Sequence, residues 1–383
     1  MKKYLFYILL FIQPLLDVLT SFQLRYFNNS ILSISAIIRL ILLLIMVIYI
    51  IVKKDKKDYI VLGVLSIYSI ISIIHFKDIT SIMNISKIIY LPLSILFFIR
   101  YNERIDKNNI ILLYTIYLLL VIVPTLLHVN FDVYSGEEAK RASLGLFYGG
   151  NELSAFLLGY LPLILTYLKD IDLYKRLIVY VLIIAAFIMI GTKTLFLGGV
   201  LVLIIYLIYY IKNEKIKNKK YLIGGIIGTL LLGIIILPYT PIYKNMKITL
   251  DYYGIHSIKD INIDTIDNVI YSKRLTYAKD LMNDYNNHDI TDKLIGVGRI
   301  DIKDSEIDII DMLYIIGIIG LIIYIGLLVY LLLTNKLKNI YLLSFILFIL
   351  MSCFSGHIFI KPNVLIYIGV LFNLNKHNII KNR

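Results

Sequence analysis

Residues 31–57 read ILSISAIIRLILLLIMVIYIIVKKDKK, an apolar run closed by Lys53, Lys54, Lys56 and Lys57. At 1.5 Å per residue, the roughly 22 residues before the lysines reach about 30 Å as a helix, enough to cross the hydrocarbon of a bilayer. The lysines fix an end, because basic residues concentrate in the connections that stay on the cytoplasmic side.

The same pattern recurs along the whole chain. Apolar stretches fall near 4–22, 31–52, 59–74, 81–99, 110–127, 153–168, 174–192, 195–211, 221–237, 307–333, 340–354 and 357–374. The last is interrupted by His357, Lys361 and Pro362. The sequence therefore predicts an all-α polytopic membrane protein of about twelve transmembrane helices, built as one integral membrane domain over 1–383. Composition agrees. A mean hydropathy of +0.81, with 59% hydrophobic and 17% charged residues, leaves too little polar surface to solvate a globule of 383 residues.

Every second connection is basic. Lys2 and Lys3 begin the series, followed by Lys53, Lys54, Lys56 and Lys57, then Arg100, Arg104 and Lys107, then Lys169, Lys175 and Arg176. Lys212, Lys215, Lys217, Lys219 and Lys220 come next, then Lys336 and Lys338, and finally Lys376, Lys381 and Arg383. This alternation predicts cytoplasmic termini and an opposite face bearing two sizeable loops, about 128–152 and 238–306, the larger between the ninth and tenth spans. The net charge of +13 thus reports membrane orientation. It predicts no nucleic-acid partner, since Pro238 to Glu306 holds nine Lys and Arg against eleven Asp and Glu and forms no basic face. The first segment reads as a retained span, because Gln13, Pro14 and Asp17 interrupt it and no small-residue cleavage site follows. A single cysteine, Cys353, excludes an internal disulfide and multi-cysteine metal motifs.

The polar chemistry falls on the outer side, where five of the six His residues lie, and no phosphate-binding loop or dinucleotide fingerprint appears. Arg39, Lys87 and Lys193 sit within or at the edge of spans near their outer ends, where a charge is costly unless paired or functional. Asp17 lies at a depth comparable to Arg39, so the two read either as an intramembrane ion pair or as part of a cationic funnel for a lipid-linked anion. The segment Lys140-Arg141 leads through Gly145, Phe147, Gly149 and Gly150 to Asn151, offering Arg donors and free backbone N–H groups to a phosphate, or simply a helix cap. In the large loop, Tyr271, Leu275, Ala278, Met282 and Tyr285 recur at helical spacing. They predict an amphipathic helix capped by Ser272 and carrying Lys273 and Arg274 in its first turn. Glu306, Asp308 and Asp311 then crowd the entrance to the tenth span.

Arg141-x3-Gly145-x-Phe147-x3-Asn151, Thr192-Lys193-Thr194, Ser272-Lys273-Arg274, Gly296-Val-Gly298 and Gly317-x2-Gly320, in that order, resemble the O-antigen ligase and O-antigen polymerase superfamily. The resemblance implies a glycosyltransferase of the bacterial cytoplasmic membrane. It would take a glycan from undecaprenyl diphosphate on the outer face and join it to a glycan or lipid acceptor, among membrane lipids and alongside other polysaccharide-assembly proteins. It implies no cofactor and no metal. Arg141 and Arg274 would hold the diphosphate, with Lys193 where relatives carry Arg; the depth of Arg39 and Lys87 in their spans, rather than the resemblance, adds these two to the expected anion site. Ligases of the family carry His eleven residues before the first Gly of the late Gly-x-x-Gly span. Here that position is Glu306, so Glu306, or else Asp308, would take the acceptor proton. The product would be a capsule, an O-antigen-like polymer or a secondary cell-wall polymer. A flippase for lipid-linked glycans and a non-catalytic scaffold are the other classes, the first weakened by the scarcity of charge in the cytoplasmic halves of the spans.

Overall fold

The computed structural model describes residues 2–27, 33–131, 142–213, 237–239, 243, 247–248, 250–251, 255, 267 and 271–381. The long helices among them are α1 (Lys2–Tyr26), α2 (Ile34–Lys53), α3 (Lys56–Phe76), α4 (Ile79–Arg100), α5 (Lys107–Leu126), α6 (Gly150–Tyr167), α7 (Leu173–Ile190) and α8 (Lys193–Asn213). After the large loop come α9 (Arg274–Asn287), the short α10 (Ile290–Ile295), α11 (Asp308–Asn335), α12 (Asn339–Phe354) and α13 (Pro362–Lys381). Eight helices among the described residues are long and apolar enough to cross a membrane, and Lys193–Ile208 and Asn339–Phe354 are shorter apolar helices. The chain is a multi-pass membrane protein. The expected ninth span, 221–237, lies almost wholly outside the described residues. The last expected span is shifted: α13 starts at Pro362, where proline's missing N–H costs nothing, so His357 and Lys361 belong to the loop before it.

Three helices form the centre. In α4 every residue from Tyr90 to Ile99 is buried, in α6 every residue from Leu153 to Leu165, and in α13 residues 364–375. A helix apolar and buried all round is one surrounded by other helices. By contrast α2, α3 and α7 turn Leu44, Ile48, Ile67, Ile74, Val181 and Ile184 outward, a surface that only lipid would cover.

Lipid supplies no hydrophobic drive between helices, so close approach and interhelical hydrogen bonds hold them. Ser94 Oγ donates to Leu365 O (3.0 Å), Tyr160 OH to Tyr367 O (2.6 Å), and Asn373 Nδ2 to Phe98 O and Tyr101 O (3.1 Å each). At the end of the bundle bearing Lys53 and Lys54, buried Asp58 accepts from Arg100 Nε (2.6 Å) and Nη2 (2.8 Å), so its charge is paired.

α11 is broken. Gly317 has φ +66° and ψ −178°, a conformation open mainly to glycine. The carbonyls released by the break find partners elsewhere: Tyr314 O accepts from Val297 N (2.8 Å) and Ile315 O from Gly298 N (3.0 Å). Tyr68 OH reaches Ile316 O at 2.8 Å. The Gly296-Val-Gly298 segment is thereby fastened to the broken helix, which fixes how the large loop returns to the membrane domain.

Candidate functional site

At the end of the bundle opposite Lys53 and Lys54, the helices part around a cavity of about 730 Å³. Its wall is built from the C-terminal half of α1, the N-terminal halves of α2 and α4, the starts of α6, α8, α9 and α13, and the loops at 306 and 357–361. The size suits a small ligand or a headgroup. Arg39, Lys87, Lys193, Arg274 and Lys361 all face it, against Asp17, Glu152 and Glu306. Five cations drawn from five separate elements therefore meet in one concave space, where field lines concentrate and an anion is favoured.

The cations are held differently. Arg39 pairs with Asp17, whose second oxygen accepts from Tyr117 OH (3.0 Å). Tyr117 in turn meets Tyr367 OH (3.1 Å). The ion pair expected from their similar depths is present, and both residues line the cavity as well. Lys87 Nζ donates to Asn84 Oδ1 (3.0 Å). Lys361 lies 3.5 Å from Glu152. Lys193 opens α8 between two threonines that face the cavity. Thr192 Oγ1 accepts the Leu195 N–H (3.3 Å) and so caps that helix.

Arg274 is the most constrained, with 8% of its surface exposed. Its Nε and Nη2 donate to Glu306 Oε2 at 3.0 and 2.6 Å, and Nη1 donates to Phe354 O. Asn151 Nδ2 adds a third donor to Glu306 Oε2 (3.3 Å). Burial pushes the Glu306 carboxyl up, but the hydrogen bonds and charge of Arg274 outweigh it, with help from His357 and Asn151, and hold the group below the ordinary carboxylate value.

The helix that presents Arg274 departs from expectation in its cap and its face. Ser272 and Lys273 both have positive φ and Ser272 makes no cap. The Asp267 carboxylate caps instead, accepting from Leu275 N and Thr276 N at 3.0 Å each. The buried face is Arg274, Ala278, Leu281 and Tyr285, while Leu275 is exposed.

Glu306 has φ +55°, uncommon for a residue with a side chain and a mark of an over-determined loop. One cause is Gly356: a Cβ there would meet Glu306 O at 2.1 Å, so only glycine lets the two loops touch. Asp308 does not line the cavity. It is 1% exposed, and its Oδ2 accepts from Ile358 N and Phe359 N at 2.8 Å each, clamping the 355–361 loop against the start of α11. Its hydrogen bonds thus hold that loop, and its side chain is absent from the cavity wall. The same loop brings His357 to the cavity wall, with Nε2 4.0 Å from Glu306 Oε1. His357 and Lys361 were not foreseen as site residues. Their only sequence signal is the interruption of the last apolar run. Arg141 lies outside the described residues. The segment that follows it does reach the site, since Leu144, Phe147, Gly149, Gly150 and Asn151 all line the cavity.

A family model described as O-antigen ligase like membrane protein matches residues 1–265 and 256–379. The chain belongs to that family. No curated protein matches it. As an O-antigen ligase-like membrane protein it is assigned to glycan transfer or polymerisation on a membrane, with lipid-linked glycans as the substrate class.

Proposed function

We propose that this protein transfers or polymerises a glycan carried on undecaprenyl diphosphate at the outer face of the cytoplasmic membrane, building a cell-surface polysaccharide. The observation that carries the reading is the meeting of Arg39, Lys87, Lys193, Arg274 and Lys361 around one cavity with Glu306 at its wall. The family resemblance gives Arg141 a part in holding the same diphosphate, by its place in the motif.

A glycosyl diphosphate brings its own leaving group, so the protein has two tasks: neutralise the diphosphate charge that develops and present an acceptor hydroxyl to a base. In this reading the acceptor oxygen forms a bond to the anomeric carbon as the bond from that carbon to the phosphate oxygen breaks. The bonding pair leaves with undecaprenyl diphosphate, and the acceptor proton passes to a Glu306 carboxylate oxygen. The Arg274–Glu306 pair suggests how the two tasks are coupled. Without donor, Arg274 engages Glu306 and weakens it as a base. A diphosphate that recruits the guanidinium leaves Glu306 in a half-buried setting where burial raises its affinity for a proton.

The test is binding of undecaprenyl diphosphate to purified protein. Lys193→Ala and Arg274→Ala are each expected to weaken it by about 2–5 kcal/mol, the usual cost of removing one partner of a desolvated charge contact. Unchanged binding in both variants would remove the support for the anion site.

A further inference from the structure

Beside the cavity, behind Glu306, lies a second cluster that the glycan-transfer reading does not use. Asp304, Asp311 and His357 each bring one ligand atom within 4.8 Å of the others. His357 Nε2 is 3.5 Å from Asp304 Oδ2.

An acidic cluster alone says little, but here two buried atoms have no partner. Asp311 is fully buried. Its Oδ1 accepts from Ser305 N (2.9 Å) and Ser305 Oγ (2.6 Å), whereas Oδ2 finds no hydrogen-bond partner among the described residues. His357 Nδ1 is likewise buried and unmatched among them. A carboxylate oxygen and an imidazole nitrogen left bare in the interior are costly unless water or an ion meets them. Charge points the same way. Asp304, Glu306, Asp308 and Asp311 lie within eight positions of sequence, and among the described residues the guanidinium bound to this group, Arg274, is spent on Glu306. So much negative charge bordering a cavity that favours anions would oppose its ligand unless a cation offsets it.

We propose that Asp304, Asp311 and His357 form a divalent-cation site beside the cavity. Two carboxylates with one imidazole suit Mn²⁺ or Zn²⁺ better than Mg²⁺ or Ca²⁺, which favour all-oxygen shells. The ion offsets the acidic cluster and ties the His357 loop to the start of α11. This departs from the metal-free expectation that the family resemblance carries, and it stands or falls independently of the glycan-transfer reading, because binding is measured without substrate.

The experiment uses full-length protein purified in detergent, stripped with a chelator and dialysed. Mn²⁺ is titrated by electron paramagnetic resonance of the free ion, and Zn²⁺ by equilibrium dialysis. One saturable equivalent of either ion is expected. Asp311→Asn and His357→Gln should each weaken it at least tenfold, a loss of the size seen even for groups supporting metal ligands. Asp304→Asn should do the same, and because its side chain is half-exposed the change should leave the fold intact. Asp301→Asn, an exposed acid in the same loop paired with Arg299, should bind normally. No saturable binding, or binding that Asp304→Asn leaves unchanged, overturns the proposal.

Discussion

Replacing Arg274 with Met keeps most of the side chain's apolar stem and removes the guanidinium. The structure shows what is stranded: Glu306 loses two charge-assisted donors and Phe354 O loses one. Breaking a buried ion pair from one side costs about 3–5 kcal/mol, because the other charge stays buried. The Glu306 side chain is 29% exposed and water relieves part of the cost, so about 2–3 kcal/mol is expected. Most of that is the stranded carboxylate. Arg274→Met/Glu306→Gln should therefore be more stable than Arg274→Met alone by about 1–2 kcal/mol, with Asn151 still able to donate to the Gln oxygen. The assay is the fraction of detergent-purified protein that stays monodisperse on size-exclusion chromatography after stepwise heating. A double variant as unstable as the two single losses added together would refute the coupling, and with it the picture of Arg274 as the group that sets the state of Glu306.

Three further outcomes are expected. Because the Glu306 carboxyl is held below its ordinary value of 4.5, its contribution to stability is fully present above that value and is lost as pH falls through the lowered folded-state value; Glu306→Gln should flatten this acid limb of a stability-against-pH curve, and an unchanged limb would count against the bridge. Gly317→Ala, at φ +66° with a Cβ 2.4 Å from Gly296 N, should destabilise the protein by more than about 2 kcal/mol and lower its yield in the membrane, whereas Gly326→Ala, with open space around it, should lower neither. In a Cys353→Ala background, a Cys at Asn287 should react with a membrane-impermeant thiol reagent in intact cells and a Cys at Lys54 should not; the reverse would invert the proposed orientation.

Much of the membrane domain was legible because hydropathy and charge alternation act over whole spans, and such averages survive errors of a few residues. Arg39, Lys87, Lys193, Arg274 and Glu306 were also legible, since a charge near the end of an apolar run needs a reason whatever the tertiary structure. What the sequence leaves illegible has a different cause. Asp308 and Glu306 look alike as first-turn acids. What separates them is the positive φ at Glu306 and a loop some fifty residues later whose amides Asp308 captures. His357 and Lys361 read as outer residues interrupting the last apolar run, and only the start of α13 at Pro362 puts both in the loop that reaches the cavity. Ser272 is a reasonable cap by residue type, yet Asp267 does the capping from outside the local window. Gly317 fits a packing motif equally well as a break, and the backbone pairing with Gly296-Val-Gly298 that makes it a break is a long-range contact no local pattern encodes.

In the proposed mechanism Glu306, released when the donor diphosphate recruits Arg274, accepts the acceptor's proton. The most direct test of this step is transfer from a synthetic undecaprenyl diphosphate glycan by purified Glu306→Gln protein, with product followed by mass spectrometry and donor binding measured alongside. Gln keeps the shape and one acceptor oxygen but cannot serve as the base. Turnover should fall by roughly 10²–10⁴ while donor binding survives. Turnover near that of the unsubstituted protein, with donor binding intact, would contradict the account.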